Sequence, residues 1–61
     1  MEDLLGLISS MGAELARAKD EAEKFVNKGN STAGTRVRKA MFEIKRMAQE
    51  ARVMISLIKN R

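Results

Sequence analysis

The chain has 61 residues with no cysteine, histidine, tyrosine or proline, and its 12 Lys and Arg outweigh 8 Asp and Glu for a formal charge of +4. A domain of this length buries only about 60% of the surface that its unfolded chain exposes, and without Cys or His it cannot add a disulfide, a thiolate site or an imidazole metal site. Oligomerisation is the remaining means of stabilising so thin a core; no enzyme and no cofactor are expected, because Ser9, Ser10, Ser31 and Thr32 have no evident base to activate them.

The first element is a helix expected over about residues 3–28, in a composition dominated by good helix formers. Leu4, Ile8, Met11, Leu15, Ala18, Ala22 and Phe25 alternate at spacings of four and three, an unbroken heptad seam. Leu5 and Leu7 flank that seam. The longest uncharged stretch, Leu4 to Ala13, contains two Gly and two Ser and is too short to span a bilayer. No basic region followed by a long apolar run opens the chain, so no signal peptide is expected, and Met1 fits a natural start.

A turn is expected over residues 29–31, inside the cluster Asn27-Lys28-Gly29-Asn30-Ser31-Thr32. Gly29 can adopt the left-handed conformation that ends a helix, and Asn30 or Ser31 can cap the next one. The break lies near the midpoint, which makes the chain a helical hairpin.

The second helix is expected over about residues 32–59, with Ala33, Val37, Ala40, Ile44, Met47, Ala51, Met54 and Ile58 on the same alternation. The alternating alanines would let the two helices approach closely near the turn. Met41, Ala48 and Ile55 flank this seam, joined by Val53 and Leu57, so the apolar surface is wider than two helices can cover. The expected fold class is therefore all-α: an antiparallel two-helix hairpin, one domain over residues 1–61, that forms a homodimeric four-helix bundle. The expected dimer interface comprises Leu4, Leu5, Ile8, Met11, Leu15, Met41, Ile44, Met47, Ala48, Met54, Ile55 and Ile58.

Charge is distributed unevenly along the hairpin. Residues 1–28 carry four bases against six acids, whereas residues 29–61 carry eight bases against two acids. In the second helix Arg38, Lys45, Arg52 and Lys59 recur every seven residues, nearly two helical turns, with Lys39 and Arg46 beside the first two. Glu43 and Glu50 lie on a flank of the seam. Such a stripe is the electrostatic footprint of nucleic-acid backbone binding, although a solvated face also accounts for it. In the turn, small residues, Ser and Thr hydroxyls and the free N–H groups of a helix start suit a phosphate that Arg36 and Arg38 can clamp; an ordinary cap followed by surface arginines is the plainer reading. The expected DNA-binding set is Lys28, Ser31, Thr32, Thr35, Arg36, Arg38, Lys39, Lys45, Arg46 and Arg52. Phe42 lies in the middle of the stripe and either wedges against DNA or, the more common fate of such a residue, packs on another subunit or lies exposed. Gln49 is the main candidate for reading a base edge, so phosphate contact with little sequence preference is expected.

From Gly29 to Arg52 the chain resembles the chlamydial histone-like proteins, small nucleoid proteins also found in other bacteria. The residues that carry the resemblance are Gly29-Asn30, Ala33, Arg36-Val37-Arg38, Ile44, Ala48 and Arg52, with looser agreement at Asp3-Leu4-Leu5 and from Arg17 to Lys19. The resemblance implies DNA binding and nucleoid compaction without catalysis, and it carries a DNA role onto Arg36, Arg38 and Arg52. Chlamydial members continue into a long Lys- and Ala-rich tail that these residues do not include, so condensation driven by such a tail is not implied here.

The expected function is that of a histone-like architectural protein, cytoplasmic and nucleoid-associated. Its partners would be double-stranded DNA and a second copy of itself, with no small-molecule substrate and no membrane. The competing reading is a helical-bundle adaptor that binds another protein and no DNA; a peptide for RNA or a membrane surface ranks below it. A helix of about 27 residues is roughly 40 Å long, so an antiparallel dimer is expected to set its two turns close to one duplex turn of about 34–36 Å apart.

Overall fold

The computed structural model describes residues 2–61, with side chains from Asp3 onward, and consists of two helices, α1 (Glu2–Lys28) and α2 (Ser31–Lys59). They run antiparallel. Leu4 lines one groove with Met54, Leu57 and Ile58 at the open end, and Glu21 pairs with Arg36 toward the turn. The described residues contain no strand.

Two residues make the reversal. Gly29 has φ +64°, a left-handed conformation that costs glycine nothing, and its N–H donates to the Phe25 carbonyl at 3.1 Å to close the last turn of α1. Asn30 is extended (φ −76°, ψ 101°); its side-chain oxygen accepts from the Ala33 N–H at 3.1 Å, and its carbonyl accepts from the Gly34 N–H at 3.2 Å. Asn30 is thus the N-cap. Ser31 consequently begins α2 instead of belonging to the turn.

The core is made of alanine. Ala18, Ala33, Ala40 and Ala51 are buried, and no larger side chain of the described residues is completely so. Near the turn the approach is closer still. A Cβ added at Gly34 would lie 2.7 Å from two ring carbons of Phe25, so the ring lies across the start of α2 only because that position has no side chain. Phe25 remains about half exposed rather than sealed in the seam.

The seam of α1 is rotated from the expected one. Leu4, Leu7, Met11, Glu14, Ala18, Glu21 and Ala22 are the residues at least partly covered, whereas Ile8 and Leu15 are 51% and 57% exposed. In α2 the expected alternation does face α1, from Ala33 to Ile58. The rotation brings Glu21 to Arg36 and leaves Ile8 and Leu15 on an uncovered side. Heptad spacing alone does not distinguish the two settings, because Leu7 and Ile8 are both apolar.

The hairpin measures 49 × 15 × 11 Å between Cα atoms. It is one helix thick. Its length exceeds one duplex turn of about 34–36 Å.

Candidate nucleic-acid interface

The two long sides of the hairpin differ in chemistry. One side is laced with ion pairs: Arg17 to Glu14 at 3.3 Å, Lys24 to Glu21 at 3.6 Å, and Arg36 across the helices to Glu21 at 3.4 Å. It continues along α2, where Arg46 donates to Glu43 at 2.9 Å and to Glu50 at 3.0 Å. These pairs are largely solvated, and water and salt screen such contacts until they contribute little to stability. They hold side chains in place more than they hold the fold together.

The opposite side is apolar. Ile8 and Leu15 of α1 and Met41 and Ile55 of α2 are all more than two-fifths exposed there. Val37, Met41 and Arg38 line one groove with Ala22, Phe25 and Gly34, so the cationic row of α2 borders this apolar strip. Of the other residues expected at a dimer interface, Leu4, Met11, Ile44, Met47, Ala48, Met54 and Ile58 are partly covered between the helices, and Leu5 is exposed.

The outer surface of α2 carries the cations. Successive residues turn by about 100°, so Arg38, Lys45 and Arg52 form one row, Lys39 and Arg46 a second, and Phe42 and Gln49 lie between them. All of these are exposed. Among the described residues, Arg38, Lys39, Lys45 and Arg52 make no ion pair with an acid.

Arg46 is the exception in the expected stripe. Glu43 and Glu50 stand three residues before it and four after it, and its guanidinium engages both. The hydrogen bond and charge of Glu43, followed by the charge of Glu50, raise its pKa above the ordinary arginine value. The spacing of three and four residues is the signal for this arrangement, and a reading of the stripe as a row of free cations misses it. The cross-helix pair of Arg36 with Glu21 has no such signal, since it depends on how α1 is rotated.

At the turn, Lys28 lies in the last turn of α1, where a cation complements the helix dipole. Ser31 and Thr32 are exposed in the first turn of α2, but the Ala33 N–H is already taken by Asn30. The Thr35 hydroxyl donates to the Ser31 carbonyl at 3.3 Å, so its proton is used within the helix. The structure therefore brings Arg38, Lys39, Lys45 and Arg52 together on one surface and draws Arg36, Arg46 and Thr35 into local partnerships.

Among the described residues, no group of three or more His, Cys, Asp or Glu is placed to hold a metal, and no helix is long and apolar enough to cross a membrane. A family model described as Histone H1-like protein Hc1 matches residues 6–61. No curated protein and no solved structure matches the chain significantly.

Proposed function

The chain belongs to the histone H1-like protein Hc1 family, and from that premise we propose that it is a non-catalytic, nucleoid-associated protein of the cytoplasm that binds double-stranded DNA through phosphate contacts from α2. The observation that carries this reading is the set of exposed cations Arg38, Lys39, Lys45 and Arg52, which have no acidic partner among the described residues. Cations held in internal pairs would have to exchange one anion for another. Free ones displace counterions from the duplex, and the release of those ions drives association. Arg36 and Arg46 are secondary contributors, because their pairs are exposed and weak enough to yield to a phosphate. Little base preference is expected.

The binding unit is a homodimer in this reading. What supports it is the mismatch between the alanine core and the exposed apolar side. The only buried side chains among the described residues are alanines, and a core that small in a chain below about 70–80 residues usually needs oligomerisation beside it. Joining two apolar sides makes a four-helix bundle, with Arg38 and its row extending their stems along the rim.

A mobility-shift titration against a random-sequence duplex, with the mass in solution measured alongside, tests both parts. A dimer that retards DNA at low salt and releases it at higher salt is the expected outcome. No retardation at any salt concentration, with the protein folded, would overturn the DNA reading and favour the protein-adaptor one.

A further inference from the structure

Phe42 is 72% exposed, a large aromatic held in water on a helix whose other face is available for packing. Residues three and four apart are neighbours on a helix surface, and all four of those positions around Phe42 are cations: Arg38, Lys39, Lys45 and Arg46. We propose that Phe42 is a wedge that enters between base steps of duplex DNA while the four surrounding cations hold the two sugar-phosphate strands. The inference rests on the DNA-binding reading above and adds to it a mode of engagement that phosphate contacts alone do not supply.

Charge decides what covers the ring. A second copy of this chain stacked symmetrically on Phe42 would set one group of four cations against another. Phe42 also lies more than a quarter turn around α2 from Met41, Ala48 and Ile55, so it stays outside a dimer built on the apolar side. The ring is not needed in the core, where alanines fill the space. A polyanion with an apolar interior satisfies both features, and duplex DNA has that construction.

The dimensions agree. Along α2 the pair Arg38 and Lys39 is separated from the pair Lys45 and Arg46 by seven residues, about 10 Å at 1.5 Å each. A minor groove is about 6 Å wide, so a ring entering it leaves one cation pair over each flanking strand. Apolar side chains inserted there unstack a base step and kink the duplex toward the major groove. Pyrimidine–purine steps, which unstack most readily, would be the preferred sites. Arg46 takes part by releasing Glu43 and Glu50, whose contacts with it are solvent-exposed.

The test compares the wild-type protein with Phe42→Ala and Phe42→Leu on two duplexes of equal length, one regular and one with a single unpaired base and 2-aminopurine beside it. The wild type should favour the distorted duplex by about tenfold, equivalent to about 1.4 kcal/mol, and should raise the 2-aminopurine emission. Phe42→Ala should lose both effects while keeping its affinity for the regular duplex within about threefold and its salt slope unchanged, because the phosphate contacts remain. Phe42→Leu should retain part of the preference. Equal preference in wild type and Phe42→Ala, or a change in dimer mass on substitution, overturns the wedge and leaves phosphate binding standing. Failure of the wild type to bind either duplex overturns the DNA reading itself.

Discussion

The salt dependence of DNA binding can be worked from the cations that α2 leaves free. Five exposed cations of α2 make no ion pair among the described residues; Lys59 lies at the open end, and the other four, Arg38, Lys39, Lys45 and Arg52, are the expected phosphate contacts, eight in a dimer. With a slope of about −0.9 per contact, log K falls against log salt with a slope near −7 for the dimer and near −3.6 for a single hairpin. Between about 50 and about 200 mM salt this amounts to a loss of roughly 10⁴-fold for the dimer and roughly 10²-fold for the hairpin alone. Fluorescence anisotropy with a labelled random duplex of about twenty base pairs, at four salt concentrations, measures the slope directly. Replacing Arg38 and Lys45 with Ala should lower its magnitude by about 3.6 in the dimer, since two contacts are lost from each hairpin. Both residues are exposed and make no ion pair, so the fold should be unaffected. A slope shallower than about −2, or one that the double substitution leaves unchanged, would refute the proposal that these cations grip phosphates.

Four further outcomes are expected. Glu43→Gln with Glu50→Gln frees Arg46 and removes two acids beside the binding surface, so DNA affinity at low salt should rise and the slope should steepen; unchanged anisotropy curves would mean that Arg46 plays no part. Asn30→Ala removes the cap on Ala33 and should cost about 1 kcal/mol, some 4–8 °C in the melting temperature of a chain this small, measured by circular dichroism. Gly34→Ala should gain up to about 1 kcal/mol of helix propensity only when Phe25 is also Ala, because in the wild type the new methyl meets the ring at 2.7 Å; equal effects in both backgrounds would contradict that contact. Ile8→Glu with Leu15→Glu should halve the mass measured by light scattering and lower the melting temperature, since both side chains lie on the uncovered side; a mass that stays dimeric would exclude that side as the interface.

The hairpin was legible because its signals are local and mutually consistent. Two apolar alternations, a Gly-Asn break and the absence of proline point to two helices, and the all-helical structure has two. The rotation of α1 was not legible. Leu7 and Ile8 serve equally well as seam residues, and what separates them is the pairing of Glu21 with Arg36, a long-range contact without a local signature. The cap could be narrowed only to Asn30 or Ser31, since both residue types suit the position. The free cations at Arg38, Lys45 and Arg52 follow from heptad spacing, yet Arg46 shares their helix and behaves differently. Its acids sit at three and four residues' distance, and counting charge along a row overlooks the neighbours on either side of it. The surroundings of Phe42 could be counted from the chain, whereas the exposure of the ring required the fold.

The alanine core has a mechanical consequence. Small methyl groups offer neither knobs nor deep sockets, so they resist sliding of one helix along the other far less than interdigitated leucines would. The alignment of the arms is thus fastened chiefly at one end, where the two-residue link and the Phe25 ring over Gly34 act as a hinge pin. Toward Leu4 and Ile58 the arms are held by partly covered, flexible side chains. The open end is therefore the part expected to yield first, and amide exchange should be faster toward Leu4 and Ile58 than beside the turn.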